Sequence, residues 1–108
     1  MERNQVRIDG RVSRAAQLRQ SPAGIPIAHF VLDHQSEQTQ AGLRRQSRFR
    51  IAVVAAGAEL AAQAGRLQRD DRVRVSGFLS RADSRSGDQR LVIHAQQIEY
   101  AGLAEPAD

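Results

Sequence analysis

The sequence predicts an all-β fold: a closed five-stranded barrel with one short helix between the third and fourth strands. Three observations predict it. Five short runs, at residues 6–13, 27–34, 48–54, 72–79 and 90–100, carry strand-like apolar patterning. One run, at residues 57–67, has helical spacing and falls between the third and fourth of them. Gly10 and Gly77 interrupt two of the strand runs, as a small barrel that must bend to close requires.

In the first run Val6, Ile8, Gly10 and Val12 alternate with Arg7, Asp9, Arg11 and Ser13, so the apolar set shares one face. Residues 14–20 read as a polar strand end or loop. Ser21-Pro22-Ala23-Gly24 is a turn signal, with proline fixing φ at its second position. The second run places Ala28, Phe30 and Leu32 inward and leaves Ile27 and Val31 beside His29 on the other face. Such an outward apolar face asks for a cover, and a second copy of the chain is the expected one. Residues 35–47 are polar and glutamine-rich, and read as a long loop of the functional kind. The third run sets Phe49, Ile51 and Val53 against Arg48 and Arg50.

Ala56, Leu60, Ala64 and Leu67 form the apolar stripe of a helix that would plug one end of the barrel. Asp70-Asp71 reads as a turn or cap between helix and strand. The fourth run faces Val73, Val75, Gly77 and Leu79 inward against Arg72, Arg74, Ser76 and Phe78. Residues 81–88 read as a polar hairpin loop with a Ser-Gly-Asp tip. The last run turns Leu91, Ile93 and Ala95 inward and finishes with Ile98 and Tyr100 after an irregularity at Gln96-Gln97. Residues 1–100 are then one domain and 101–108 a short flexible tail. A five-stranded sheet with a helix at this point is the layout of the OB-fold, which commonly binds single-stranded nucleic acid or oligosaccharide.

Charge narrows the partner. All sixteen basic residues are arginine, a bias that a GC-rich genome also produces. Guanidinium groups fork onto phosphates and stack on bases as ammonium groups cannot. Nine arginines fall in residues 1–50 against Glu2, Asp9, Asp33 and Glu37, while the rest of the chain carries seven against eight acids. The excess suggests an anionic partner, nucleic acid above all. Arg44, Arg45, Arg48 and Arg50 are its densest cluster. Arg81, Arg85 and Arg90 follow, diluted by Asp83 and Asp88. Aromatics are scarce; Phe78, on the polar side of its strand, is the one to test as a base-stacking platform, with packing under a loop the favoured alternative.

Other chemistry finds little footing. There is no cysteine, so no disulfide or cysteine metal site. His29, His34 and His94 lack metal-ligand spacing, and no phosphate loop, nucleophile elbow or zinc motif occurs. No cofactor is expected, and no catalytic residue. No apolar run approaches the ~20 residues of a membrane span, and the N-terminus does not read as a signal peptide. The expected location is the cytoplasm.

The order and spacing of several motifs carry a resemblance. They are Asn4-x-Val6-x-Ile8-x-Gly10-Arg11-Val12, Ser21-Pro22-Ala23-Gly24-Ile25-Pro26 before His29-Phe30-Val31-Leu32-Asp33-His34, Val75-x-Gly77-Phe78-Leu79-Ser80, and Ile93-His94-Ala95-x-Gln97-Ile98-Glu99. Together they resemble the bacterial single-stranded-DNA-binding protein family, and within it the members that serve the replication-restart primosome. The resemblance covers residues 4–100. It implies a homodimer of OB folds that binds single-stranded DNA at stalled forks, stimulates the PriA helicase and helps recruit DnaT, without catalysis of its own. The nucleic-acid-binding positions it implies are Arg14 and Arg19 on the first strand's end, Leu43 and Arg48 where relatives carry stacking aromatics, and Arg85 and Arg90 in the last hairpin. Asp83 stands where such relatives have lysine. A general single-strand binder, or a protein-interaction module with weak DNA contact, remains open beside this reading.

Overall fold

A computed structural model describes residues 1–82 and 90–103. Five strands, β1 (Val6–Gln20), β2 (Pro26–Gln40), β3 (Leu43–Ala56), β4 (Asp71–Arg81) and β5 (Leu91–Leu103), close into a barrel in the order β1-β2-β3-β5-β4. The helix α1 (Ala58–Gly65) lies between β3 and β4. Among the described residues only the β3–β5 pairing is parallel. This is the OB-fold architecture.

Strand alternation builds the core. Val12, Phe30, Leu32, Val53, Val73, Val75 and Ile93 are the largest fully buried side chains. They come from all five strands, so the apolar faces meet inside the barrel. Ala61, Ala64 and Leu67 bury against this core at one end. Gln63 pins the helix to β5, donating from Nε2 to the Ile98 carbonyl at 2.5 Å. Ala56 does not join that stripe: it is exposed and ends β3.

β1 serves two partners. Residues 6–11 pair with β4 and residues 11–20 with β2, so Arg11 has a neighbour on each side. The register breaks lie between Val12 and Arg14 and between Arg14 and Gln17, not at Gly10. Gly10 makes room instead: a Cβ there would meet the Asp33 carbonyl. The expected irregularity in the last strand is present. Ser76 faces Gln97 and Gly77 faces Ala95, which leaves Gln96 unmatched.

The strands are longer than their apolar patterns. Residues 14–20 are strand, and β5 runs on to Leu103. The largest difference concerns residues 35–47, expected as a loop. β2 and β3 pair without a break from Ile27↔Ala56 to Gln40↔Leu43. Ala41 and Gly42, at φ 54° and 76°, make the two-residue turn, the geometry that matches strand twist in a hairpin. The ladder hydrogen bonds continue where burial stops, so polarity hid the strand without preventing it.

Two inward assignments also change: Phe49 is 38% exposed and Leu91 51%. Tyr100, which finishes the last run, is 56% exposed. The Ser21–Gly24 turn forms as expected, with Gly24 N donating to the Ser21 carbonyl at 2.8 Å. Asp70 takes a positive φ of 74°, and Asp71 accepts from the Gln68 amide at 2.8 Å, so this pair makes the turn before β4. The hairpin tip expected at residues 83–88 and the tail at 104–108 lie outside the described residues. No helix among the described residues is long and apolar enough to cross a membrane.

Candidate nucleic-acid interface

Past Asp33, β2 pairs only with β3, and the two strands project from the barrel as a ribbon. Register sorts its arginines. Arg44 lies opposite Thr39, Arg48 opposite Gln35 and Arg50 opposite Asp33, all on one face. Arg45, opposite Gln38, takes the other. Two of the four are compensated: Arg44 Nε lies 3.3 Å from Glu37 Oε1, and Arg50 Nε donates to Asp33 Oδ1 at 2.7 Å. Arg45 and Arg48 have no acidic partner among the described residues. Leu43 stands 66% exposed beside the turn.

Where this arm parts from β1, a cleft opens between the arm and the β1–β4–β5 wall. Arg7, Arg11, Arg48, Arg50, Arg72 and Arg74 line it, against Asp9, Asp33, Glu37 and Glu99. Arg74 grips Asp9 through two hydrogen bonds, Nε to Oδ1 at 2.6 Å and Nη2 to Oδ2 at 3.0 Å. That grip holds the Asp9 carboxyl below its ordinary range, with burial opposing only in part and Arg7 adding attraction. Glu99 lies 3.8 Å from Arg74 and 3.9 Å from Arg7.

Two aromatics line the same cleft. Phe49 stacks on His34 with centroids 4.8 Å apart, and exposed Tyr100 closes the β5 side. His34 is fixed through both ring nitrogens. Nδ1 lies 2.6 Å from the Asp9 carbonyl and Nε2 2.7 Å from Ser36 Oγ. A carbonyl only accepts, so Nδ1 carries the proton and, in the neutral ring, Nε2 accepts from the Ser36 hydroxyl.

The remaining expected positions lie elsewhere. Arg14 is opposite Val31 and Arg19 opposite Ile27, on the outer face further along β1. Arg90 is exposed just before β5, and its carbonyl accepts from Ala82 N at 2.8 Å. Arg85 lies outside the described residues. The structure therefore joins Arg48 and Arg50 in one cleft and separates them from Arg14, Arg19 and the arm's tip. Phe78 is not an open platform on both sides: its ring stacks on His94 at 5.1 Å.

That stack belongs to a second outer surface. His29, Val54, His94 and Phe78 lie in register across β2, β3, β5 and β4. Ile27 and Val31 flank His29, half-buried. Burial pushes the His29 ring below its ordinary value, and repulsion from Arg19 and His94 adds to it. No group of three metal-ligating side chains occurs among the described residues.

Sequence reasoning weighted the arm and passed over Arg7, Arg11, Arg72, Arg74 and Tyr100. A signal for the arginines existed. The charged faces of the first and fourth strand runs meet when those strands pair, which an OB barrel requires.

Comparison with known proteins gives a consistent picture. A family model described as another single-strand binding protein family matches residues 4–97. Replication restart protein PriB of Proteus mirabilis is 41% identical over 99 residues, covering 92% of this chain and 94% of that protein. PriB of Photorhabdus laumondii gives the same identity and coverage. Among solved structures, PriB from Ralstonia solanacearum has a TM-score of 0.79 at 25% identity, covering 93% of this chain and 99% of that one. The small single-stranded DNA-binding protein from Streptomyces coelicolor, at TM-score 0.69 and 24% identity over 93% and 94%, shares the fold.

Proposed function

The chain belongs to the PriB family of replication restart proteins, within the single-strand binding proteins, and from that premise we propose that it is a non-catalytic accessory protein that binds single-stranded DNA during replication restart. The observation that carries the reading is the arm. It is a solvent-exposed ribbon bearing four arginines, two of them without an acidic partner among the described residues. Such a ribbon suits a flexible polyanion, because phosphates of a single strand can follow successive guanidinium groups. With few aromatics to stack on, affinity rests on phosphate contacts and falls steeply with salt.

Kinship with restart proteins supports two partners for the assembly, the PriA helicase, which the protein stimulates, and DnaT, which it helps recruit. A homodimer fits as well. Ile27, Val31, Val54 and Phe78 give the outer sheet face an apolar character that a second copy would cover. The cytoplasm, at the nucleoid, is the location this function requires.

Fluorescence anisotropy with labelled oligodeoxythymidine, at low and at moderate salt, tests the DNA reading. Binding at low salt that weakens log-linearly with salt is expected; no binding at low salt overturns it. One observation favours a second reading, a module that mainly holds protein partners. Leu43 offers an exposed apolar side chain beside the arm's turn. Capture of PriA that survives nuclease treatment, from a protein that fails to bind oligonucleotide, would favour that reading.

A further inference from the structure

The cleft beside the arm holds a pair of like charges that the protein itself leaves uncompensated. Arg11 and Arg72 lie directly opposite each other on β1 and β4, and both side chains line the cleft. Like charges so placed repel at close range and cost stability. Nearby acids could quench them, but each is committed to another arginine. Asp9 holds Arg74, Asp33 holds Arg50 although it faces Arg11 across the strand pair, Glu99 lies between Arg74 and Arg7, and Glu37 pairs with Arg44. Neither Arg11 nor Arg72 has an ion pair among the described residues. Exposed Tyr100 borders the same cleft.

We propose that Arg11 and Arg72 together seat a backbone phosphate of single-stranded DNA, and that Tyr100 stacks on an adjoining base. The strand then runs from the arm, past Arg48 and Arg50, into the cleft and onto the β1–β4 wall. An anion between two guanidinium groups relieves their repulsion and accepts charge-assisted hydrogen bonds from both. An exposed phenol ring supplies a stacking contact beside these guanidinium groups. The inference rests on the DNA-binding reading and gives it a path.

The experiment compares three proteins by anisotropy across a salt series: the wild type, the double variant Arg11→Gln with Arg72→Gln, and an arm variant, Arg44→Gln with Arg45→Gln. Losing the one phosphate that the pair seats on a single strand should reduce the log–log salt slope of the cleft variant by about 0.7. An unchanged slope in the cleft variant, with a reduced slope in the arm variant, overturns the cleft and leaves the function standing. No wild-type binding at low salt overturns both. Thermal unfolding of the cleft variant should not fall below the wild type, because the substitution removes repulsion. A measurement without any variant completes the test. On the wild type, the Arg11 and Arg72 Nε–Hε resonances should shift with added oligodeoxythymidine, and an oligonucleotide bearing 5-iododeoxyuridine should photocrosslink at Tyr100. Silent arginine resonances and a crosslink confined to the arm would count decisively against the seat.

Discussion

Gly77 presses against the carbonyl of His94. A methyl group on Gly77 would collide with that oxygen and lie 2.9 Å from the carbonyl carbon and 3.1 Å from the Ala95 Cα. All three atoms are backbone, at the place where β5 carries its unmatched residue. Neither strand can yield without breaking the ladder that closes the barrel. Gly77→Ala should therefore destabilise the fold by about 2–4 kcal/mol. Urea denaturation checks it, as a lower midpoint at unchanged slope.

Gly77 is legible as a strand glycine from the sequence alone, and so is most of the barrel. Val12, Phe30, Leu32, Val73, Val75 and Ile93 all stand on the faces that alternation assigns. Alternation names a face but not how far along the strand the barrel reaches. Phe49 shares its face with Ile51 and Val53 and still projects past the rim onto the arm. The arm was illegible because both its faces meet water, so glutamine, serine and threonine carry no periodicity. Its turn, Ala41-Gly42, also lacks the Asn-Gly or Asp-Gly signature. The site divides the same way. Arg44 to Arg50 are neighbours in the chain and read as a cluster, whereas Arg11 and Arg72 become neighbours only through strand pairing.

Arg48 and Arg50 stand at the junction of arm and cleft, so they test the DNA reading most directly. Arg48→Ala with Arg50→Ala should weaken oligodeoxythymidine binding and lower the salt slope by about 1.4, the share of two phosphate contacts. Both side chains are exposed. Losing the Arg50–Asp33 pair should cost no more than about 1 kcal/mol of stability. A slope equal to the wild type's would place the DNA elsewhere.

Asp9 restrains the cleft's charge by occupying Arg74. Asp9→Asn should tighten DNA binding and steepen the salt slope by up to about 0.7, because the Arg74 guanidinium is then opposed only by the longer Glu99 contact. The same substitution tests the pH dependence. The Asp9 carboxyl sits below its ordinary value of 3.8, so its contribution is complete above that value. It is lost as pH falls through the lower folded-state value. The pair is more than half exposed on the Asp9 side, which limits the effect to at most about 1 kcal/mol. Acid titration of Tm should show a shallower decline below pH 3.8 in Asp9→Asn than in the wild type.

His29 gives a second, separate pH window. Its folded-state value lies below 6.5, so the fold favours the neutral ring. Stability from this group is complete above 6.5 and is withdrawn as pH falls from there through the lowered value. Repulsion from Arg19 and His94 acts in the same direction as burial. His29→Gln should flatten the fall in Tm on acidification from pH 7 to pH 5. If a second copy covers this face, sedimentation of the wild type should also show dissociation over the same range, and His29→Gln should resist it.

The arm's own order depends on its two-residue turn. Ala41 holds φ at 54°, a left-handed conformation that costs alanine about 1 kcal/mol relative to glycine, or to asparagine, whose side chain can hydrogen-bond locally. Gly42 already satisfies the second position. Ala41→Asn supplies the side chain this turn geometry prefers, and should stabilise the arm by about 1 kcal/mol. The arm contributes nothing to the buried core, so the gain appears in local opening and not in global unfolding. Amide exchange along residues 36–47 should slow about fivefold, since 1.4 kcal/mol is tenfold, while the urea midpoint stays where it was. Exchange at the wild-type rate would mean that the arm's pairing does not depend on its turn, and that the long β2–β3 ladder alone holds the ribbon out over the cleft.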